Sequence, residues 1–149
     1  MIQRRSFLTY ILLSIITCGI YSIFFWYSYS DDMNKVCNGD GKETQNYLIV
    51  FLLSLVTCGI YYYIWVYGVG NRLQENAPRY NLRINENGTT ILLWYIIGGF
   101  VCGLGSIYAL YLLVKNMNDV ADRYNQYFFG GGQNQQGYQQ YQQPPYNNQ

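Results

Sequence analysis

LLSIITCGIY at residues 12–21 and LLSLVTCGIY at residues 52–61 are one ten-residue phrase, written twice forty positions apart. Only two aliphatic positions differ, Ile15 against Leu55 and Ile16 against Val56. In both copies the residues before the phrase's glycine are aliphatic. Those after it are aromatic: Tyr21, Phe24, Phe25, Trp26 and Tyr27 in the first copy, Tyr61, Tyr62, Tyr63, Trp65 and Tyr67 in the second. Threonine can bond back to a carbonyl of the preceding turn, and glycine reaches dihedrals closed to other residues. The phrase therefore predicts an interruption, either a kink or the end of one helix and the start of another, at Thr17, Cys18 and Gly19 and at Thr57, Cys58 and Gly59. A third, degenerate copy follows. A further shift of forty-four lays Cys58-Gly59 on Cys102-Gly103 and Arg79-Tyr80-Asn81 on Arg123-Tyr124-Asn125.

The phrases sit inside three runs without a formal charge, residues 7–30, 45–71 and 87–114. Each holds an apolar stretch of about twenty residues, the length that crosses a ~30 Å hydrocarbon layer at 1.5 Å per residue. Charged residues are only 11% of the chain and fall between these runs, whereas a soluble domain of this size carries charge all over its surface. The expectation is an all-α integral membrane protein of three repeated hydrophobic units, each kinked or broken near Cys-Gly. The units run about 4–37, 45–81 and 89–125 within a membrane domain 1–129. Counted for three full crossings, Arg4, Arg5, Arg72, Arg79 and Arg83 face Lys35, Lys42, Lys115 and Arg123, which slightly favours a cytoplasmic N-terminus. Arg4 and Arg5, with Trp26, Tyr27, Trp65, Tyr67 and Trp94, are expected as anchors at the membrane–water boundary, where amphipathic rings and basic side chains are accommodated.

Each unit continues into a polar extension. In the third, Leu113, Met117, Val120, Tyr124 and Tyr127 recur at helical spacing, which predicts one apolar face lying along the membrane or packed on the other units. Pro78 is expected to stop the second extension. From residue 130 the chain reads GGGQNQQGYQQYQQPPYNNQ, a Gln/Asn/Tyr/Gly-rich segment that cannot bury a core and is expected to be disordered.

Several chemistries lack their residues. There is no histidine, so the usual general base and the commonest metal ligand are missing. Cys18, Cys58 and Cys102 hold equivalent places without a Cys-x-x-Cys and are read as small packing residues rather than ligands. No charge lies inside the apolar runs, which weakens an ion-pathway reading. A net charge of +1 argues against nucleic acid. The Arg4-Arg5 start resembles a twin-arginine signal and residues 15–18 a lipidation box, but Cys58 repeats the second context where no signal operates.

The Arg5-Ser6 pair, the Leu-Ser-Ile-Ile-Thr-x-Gly-Ile-Tyr phrase, the aromatic run with Trp26 and the Asp32-Met33-Asn34 end resemble the bacterial membrane family catalogued as domain of unknown function 4234. The resemblance covers roughly residues 4–125. It implies a small multi-pass protein of the bacterial cytoplasmic membrane and no reaction. The third unit departs from the pattern, with Gly103-Leu104-Gly105 where the others read Gly-Ile-Tyr. The expected role is a non-enzymatic scaffold or accessory subunit that organises partners at the membrane; the alternative is a small oligomeric channel or transporter component. No cofactor or metal is expected. The expected partners are the lipid bilayer, further copies of the chain and proteins recruited by the tail.

Overall fold

A computed structural model describes residues 1–101 and 103–130. Among them are six α-helices, α1 Phe7–Ile16, α2 Ile20–Val36, α3 Tyr47–Val56, α4 Ile60–Asn76, α5 Gly88–Phe100 and α6 Leu104–Phe129, with a short 3-10 helix Ala77–Tyr80 and no strand. A polar side chain opens the first arm of each unit. The Ser6 hydroxyl accepts from the Thr9 N–H, the Asn46 carbonyl from Leu48, and the Asn87 carbonyl from Thr90, each satisfying an amide that the helix leaves free.

The repeated phrase closes α1 and reverses the chain. Gly19 N–H reaches back to the Ser14 carbonyl at 2.7 Å and Cys18 N–H to Ile15 at 3.2 Å, the two bonds of a Schellman motif. Both Cys18 (φ 51°) and Gly19 (φ 91°) stand in the left-handed region, so the backbone turns round and starts α2 beside α1. Thr17 serves both helices: its hydroxyl donates to the Leu13 carbonyl at 2.7 Å and accepts from the Tyr21 N–H at 3.0 Å. Thr57 makes the same two bonds, to Leu53 at 2.8 Å and from Tyr61 at 3.1 Å, and Cys58 and Gly59 repeat the left-handed pair.

Cross-contacts prove the antiparallel register. In hairpin 1 (α1 and α2) Trp26 Nε1 donates to the Tyr10 hydroxyl at 3.1 Å, Ser14 and Ser22 meet at 3.0 Å, and Arg5 is ion-paired with Asp32. In hairpin 2 (α3 and α4) Trp65 Nε1 donates to the Gln45 carbonyl at 3.2 Å and packs on Tyr47. In hairpin 3 (α5 and α6) Ser106 donates to the Tyr95 carbonyl, and Trp94 packs on Tyr108 with ring centroids 5.0 Å apart. Each charge-free run is therefore two short arms lying side by side. No helix among the described residues is long and apolar enough to cross a membrane. The tally of five basic residues against four across three crossings divides nothing, because each reversal brings both ends of a run to one end of the bundle.

Hairpins 2 and 3 touch where glycines allow it: a Cβ on Gly88 would lie 2.0 Å from the Tyr67 carbonyl oxygen, and Gly88 N–H donates to the Asn71 side chain. Between the hairpins lies a core rich in aromatics. Trp26 meets Trp65 edge-on at 5.8 Å, and Tyr29, Met33, Leu73, Leu113 and Met117 are fully buried beside them. Most of the predicted face of the third extension packs inward: Leu113, Met117 and Val120 are buried against the other units and Tyr124 is half-buried, while Tyr127 is exposed. Pro78 lies just past the end of α4, inside the 3-10 helix.

Candidate functional site

The bundle has two unlike ends. At the tips, where the chain reverses, the side chains are apolar and outward-facing: Ile15, Ile16 and Ile20 on hairpin 1, Leu55, Val56 and Ile60 on hairpin 2, Phe100, Val101 and Leu104 on hairpin 3. The exposure is extreme for such residues, 74% at Ile16, 82% at Val56 and 89% at Phe100. Apolar surface left out on this scale marks an interaction site. α1 and α3 are ten residues each, so each arm rises ~15 Å from base to tip.

At the base the charges are organised into networks. Arg72, 5% exposed in its side chain, spends all five donors. It reaches Asp40 through Nε (2.8 Å) and Nη2 (3.0 Å), and also bonds Asn34, Thr44 and the Lys42 carbonyl. Asn76 donates to the same carboxylate at 3.0 Å. This joins the end of α2, the loop after it and α4. Burial works to raise the Asp40 pKa, but the hydrogen bonds from Arg72, the Lys42 backbone and Asn76 and the Arg72 charge outweigh it and hold it at about 2, below the ordinary 3.8. A carboxyl lowered on folding contributes stability that is complete above its unfolded value and lost as pH falls through the folded one. The base is thus expected to lose about 2 kcal/mol between pH 5 and pH 2. Asp40→Asn should flatten that acid limb in unfolding curves taken across the range, and an unchanged limb would remove Asp40 as its source.

A second network clips the N-terminal segment to α6. Asn118 and Asn125, seven residues apart, each pair with a backbone unit. Asn118 accepts from Arg5 N–H at 2.8 Å and donates to its carbonyl at 2.7 Å; Asn125 does the same with Ile2 at 2.8 and 2.6 Å.

The residues expected at the boundary fall into different places. Arg4 is exposed and pairs with Asp122, while Arg5 is largely buried at the base, its guanidinium over the Phe25 and Tyr29 rings. Tyr27, Tyr67 and Trp94 are partly exposed on the flanks. Trp26 and Trp65 are not boundary anchors: at 1% and 6% exposure they are core, because the reversal turns their face toward the neighbouring hairpin. Thr17, Cys18, Gly19, Thr57, Cys58, Gly59 and Gly103 form the tips, with Gly103 also left-handed at φ 72°. Cys102 lies outside the described residues, as does the tail beyond Gly130. Among the described cysteines, Cys18 and Cys58 are exposed at the tips rather than packed, and the one that packs is Cys37, fully buried, with burial pushing its thiol up to about 12. Cys37 caps the end of α2, and nothing local in the sequence marks Asn118; the Arg-Tyr-Asn triplet shared by residues 79–81 and 123–125 is the signal for Asn125.

Residues 5–75 match the family described as Domain of unknown function (DUF4234), the family that the repeated phrase resembles. The match takes in the first two hairpins and ends before the third, whose turn reads differently. No curated protein and no solved structure matches the chain.

Proposed function

We propose that this chain is a bacterial membrane protein whose three hairpins enter a single leaflet from one side, and that it works there as a non-enzymatic scaffold. The observation that carries the reading is the division between the ends: bare Ile, Leu, Val and Phe at every described tip, and all the ion pairs at the base. The first arms of hairpins 1 and 2, ~15 Å each, are half of a ~30 Å hydrocarbon core and the 13-residue α5 of hairpin 3 is ~20 Å, so the tips reach about the midplane while the base stays among headgroups and water. Inside such a hairpin the backbone donors freed at the turn are met by Thr17, Thr57 and the Schellman bonds, which hydrocarbon demands of any inserted chain. The space between the hairpins is filled by Trp26, Tyr29, Trp65 and Leu113, which favours the scaffold over the oligomeric channel. α6 ends at Phe129, past the Asn125 that holds the N-terminal segment at the base, so the described chain ends on that side, and the recruiting role is assigned to the residues that follow.

Three crossings would put the loop after α2 and the loop before α5 on opposite faces; one-leaflet hairpins put them on the same face. Glu43→Cys and Asn85→Cys are both at exposed positions. In a chain with Cys18, Cys58 and Cys102 changed to Ser, an impermeant maleimide is expected to treat the two alike in intact cells. Labelling of one without the other would overturn the one-leaflet arrangement. The scaffold role has its own check: removing residues 131–149 should change which proteins are recovered by crosslinking yet leave membrane association intact, and an unchanged set would count against it.

A further inference from the structure

Shifting hairpin 1 by forty residues onto hairpin 2 superposes more than the turns. A groove of about 620 Å³ opens at the foot of hairpin 1 and another of about 420 Å³ at the foot of hairpin 2, and most of their lining residues are repeat equivalents. The apolar wall of the first is Phe24 and Phe25, that of the second Ile64 and Trp65. The rims are polar and of mixed sign: Arg4, Arg5 and Asp32 in the first, Lys42, Glu43 and Glu75 in the second.

Two details point to an occupant. Gly68 stands in the interior of α4, where glycine is disfavoured against alanine. Nothing among the described residues needs its smallness, since a Cβ there would meet none of their atoms within 4 Å; the empty space is the groove. Ser28, its equivalent, is also small and exposed and lines the first groove. In the third unit the same place is taken by Leu112, which is buried. The other detail is Arg5. Its Nη2 serves Asp32 and Ser28, while Nη1 is buried without a hydrogen-bond partner among the described residues, a donor that an anionic oxygen would satisfy.

We propose that each of these two grooves seats one phospholipid with an amine-bearing, zwitterionic head. Its phosphate lies at the basic rim (Arg4 and Arg5, or Lys42), its ammonium at the acidic partner (Asp32, or Glu75), and its acyl chain runs tipward along the apolar wall. The proposal rests on the one-leaflet reading, which brings both rims to headgroup depth. A mixed-sign rim complements a zwitterion better than an anionic head, whose net charge meets Asp32 or Glu75 unrelieved.

The test uses the full chain reconstituted in vesicles of phosphatidylethanolamine and phosphatidylglycerol in equal amounts, extracted gently and weighed by native mass spectrometry. The wild type should carry two phosphatidylethanolamines, Gly68→Leu one, and Ser28→Leu with Gly68→Leu none. Lys42→Glu, which alters only an exposed side chain at the rim and leaves the backbone bonds of Lys42 in place, should also lose one, which guards against misfolding as the cause. Equal lipid on the plugged variants and the wild type, or equal retention of phosphatidylglycerol, would overturn the proposal. Flotation of the same vesicles separates the two levels. A wild type that fails to float fails the one-leaflet reading, whereas one that floats without stoichiometric lipid fails the grooves alone.

Discussion

Arg72→Met is expected to destabilise the folded chain by about 3–5 kcal/mol, read from denaturant unfolding followed by circular dichroism. Methionine keeps much of the volume but leaves Asp40 half-stripped of its partners inside the base. A carboxylate that has lost two charge-assisted bonds and is 12% exposed has little water to turn to. The same change also frees Asn34, Thr44 and the Lys42 carbonyl, so the loop after α2 should loosen with it. The paired control is Lys42→Met. Its ion pair with Glu75 is more than half exposed on both sides and screened by water, so its loss should leave the unfolding midpoint nearly unchanged. Equal effects from the two changes would mean that the buried network is not what joins the first hairpin to the second.

Gly98→Leu is expected to cost about 3 kcal/mol or more and to open the third hairpin, because its obstacle is backbone rather than a movable side chain. A Cβ at Gly98 would lie 2.1 Å from the Gly105 Cα, and one at Gly105 would lie 2.3 Å from the Gly98 Cα. α5 and α6 approach this closely only because neither carries a side chain at the crossing. Gly99→Leu, one residue along, is the comparison: its Cβ meets only the Ser106 hydroxyl at 3.6 Å, so it should be neutral or mildly stabilising through helix propensity. Unfolding midpoints that rank these two the other way would show that the crossing is not set by Gly98 and Gly105.

The helical class, the threefold repeat and an interruption at Thr-Cys-Gly were all legible in the residues. The sense of the interruption was not. A kink and a reversal call for the same residue types, and only the bond from Gly19 to Ser14, with Cys18 and Gly19 both left-handed, makes it a turn-round. That one unknown carried the others with it. A straight reading of residues 7–30 makes a crossing and puts Trp26 at its edge, while the reversed reading makes two arms and puts Trp26 between them. The base network was hidden for a different reason: Asp40 and Arg72 are thirty-two residues apart, and nothing local in either stretch marks them as partners. Asn118 and Asn125 were passed over because asparagine on a polar helix looks solvated until the segment it holds is seen lying against it.

The clip made by those two asparagines bears on the order in which the molecule is completed. Each hairpin closes on residues that leave the ribosome within moments of one another, so all three can form in sequence as the chain is made. The bonds from Arg5 to Asn118 and from Ile2 to Asn125 span 113 and 123 residues. Residues 2–5 must therefore wait, with the amides of Ile2 and Arg5 unclaimed, until nearly all of α6 has been synthesised. Hairpin 1 already holds the Arg5 side chain through Asp32, but Arg4 is free to engage whatever meets the emerging chain until α6 brings Asp122 to it.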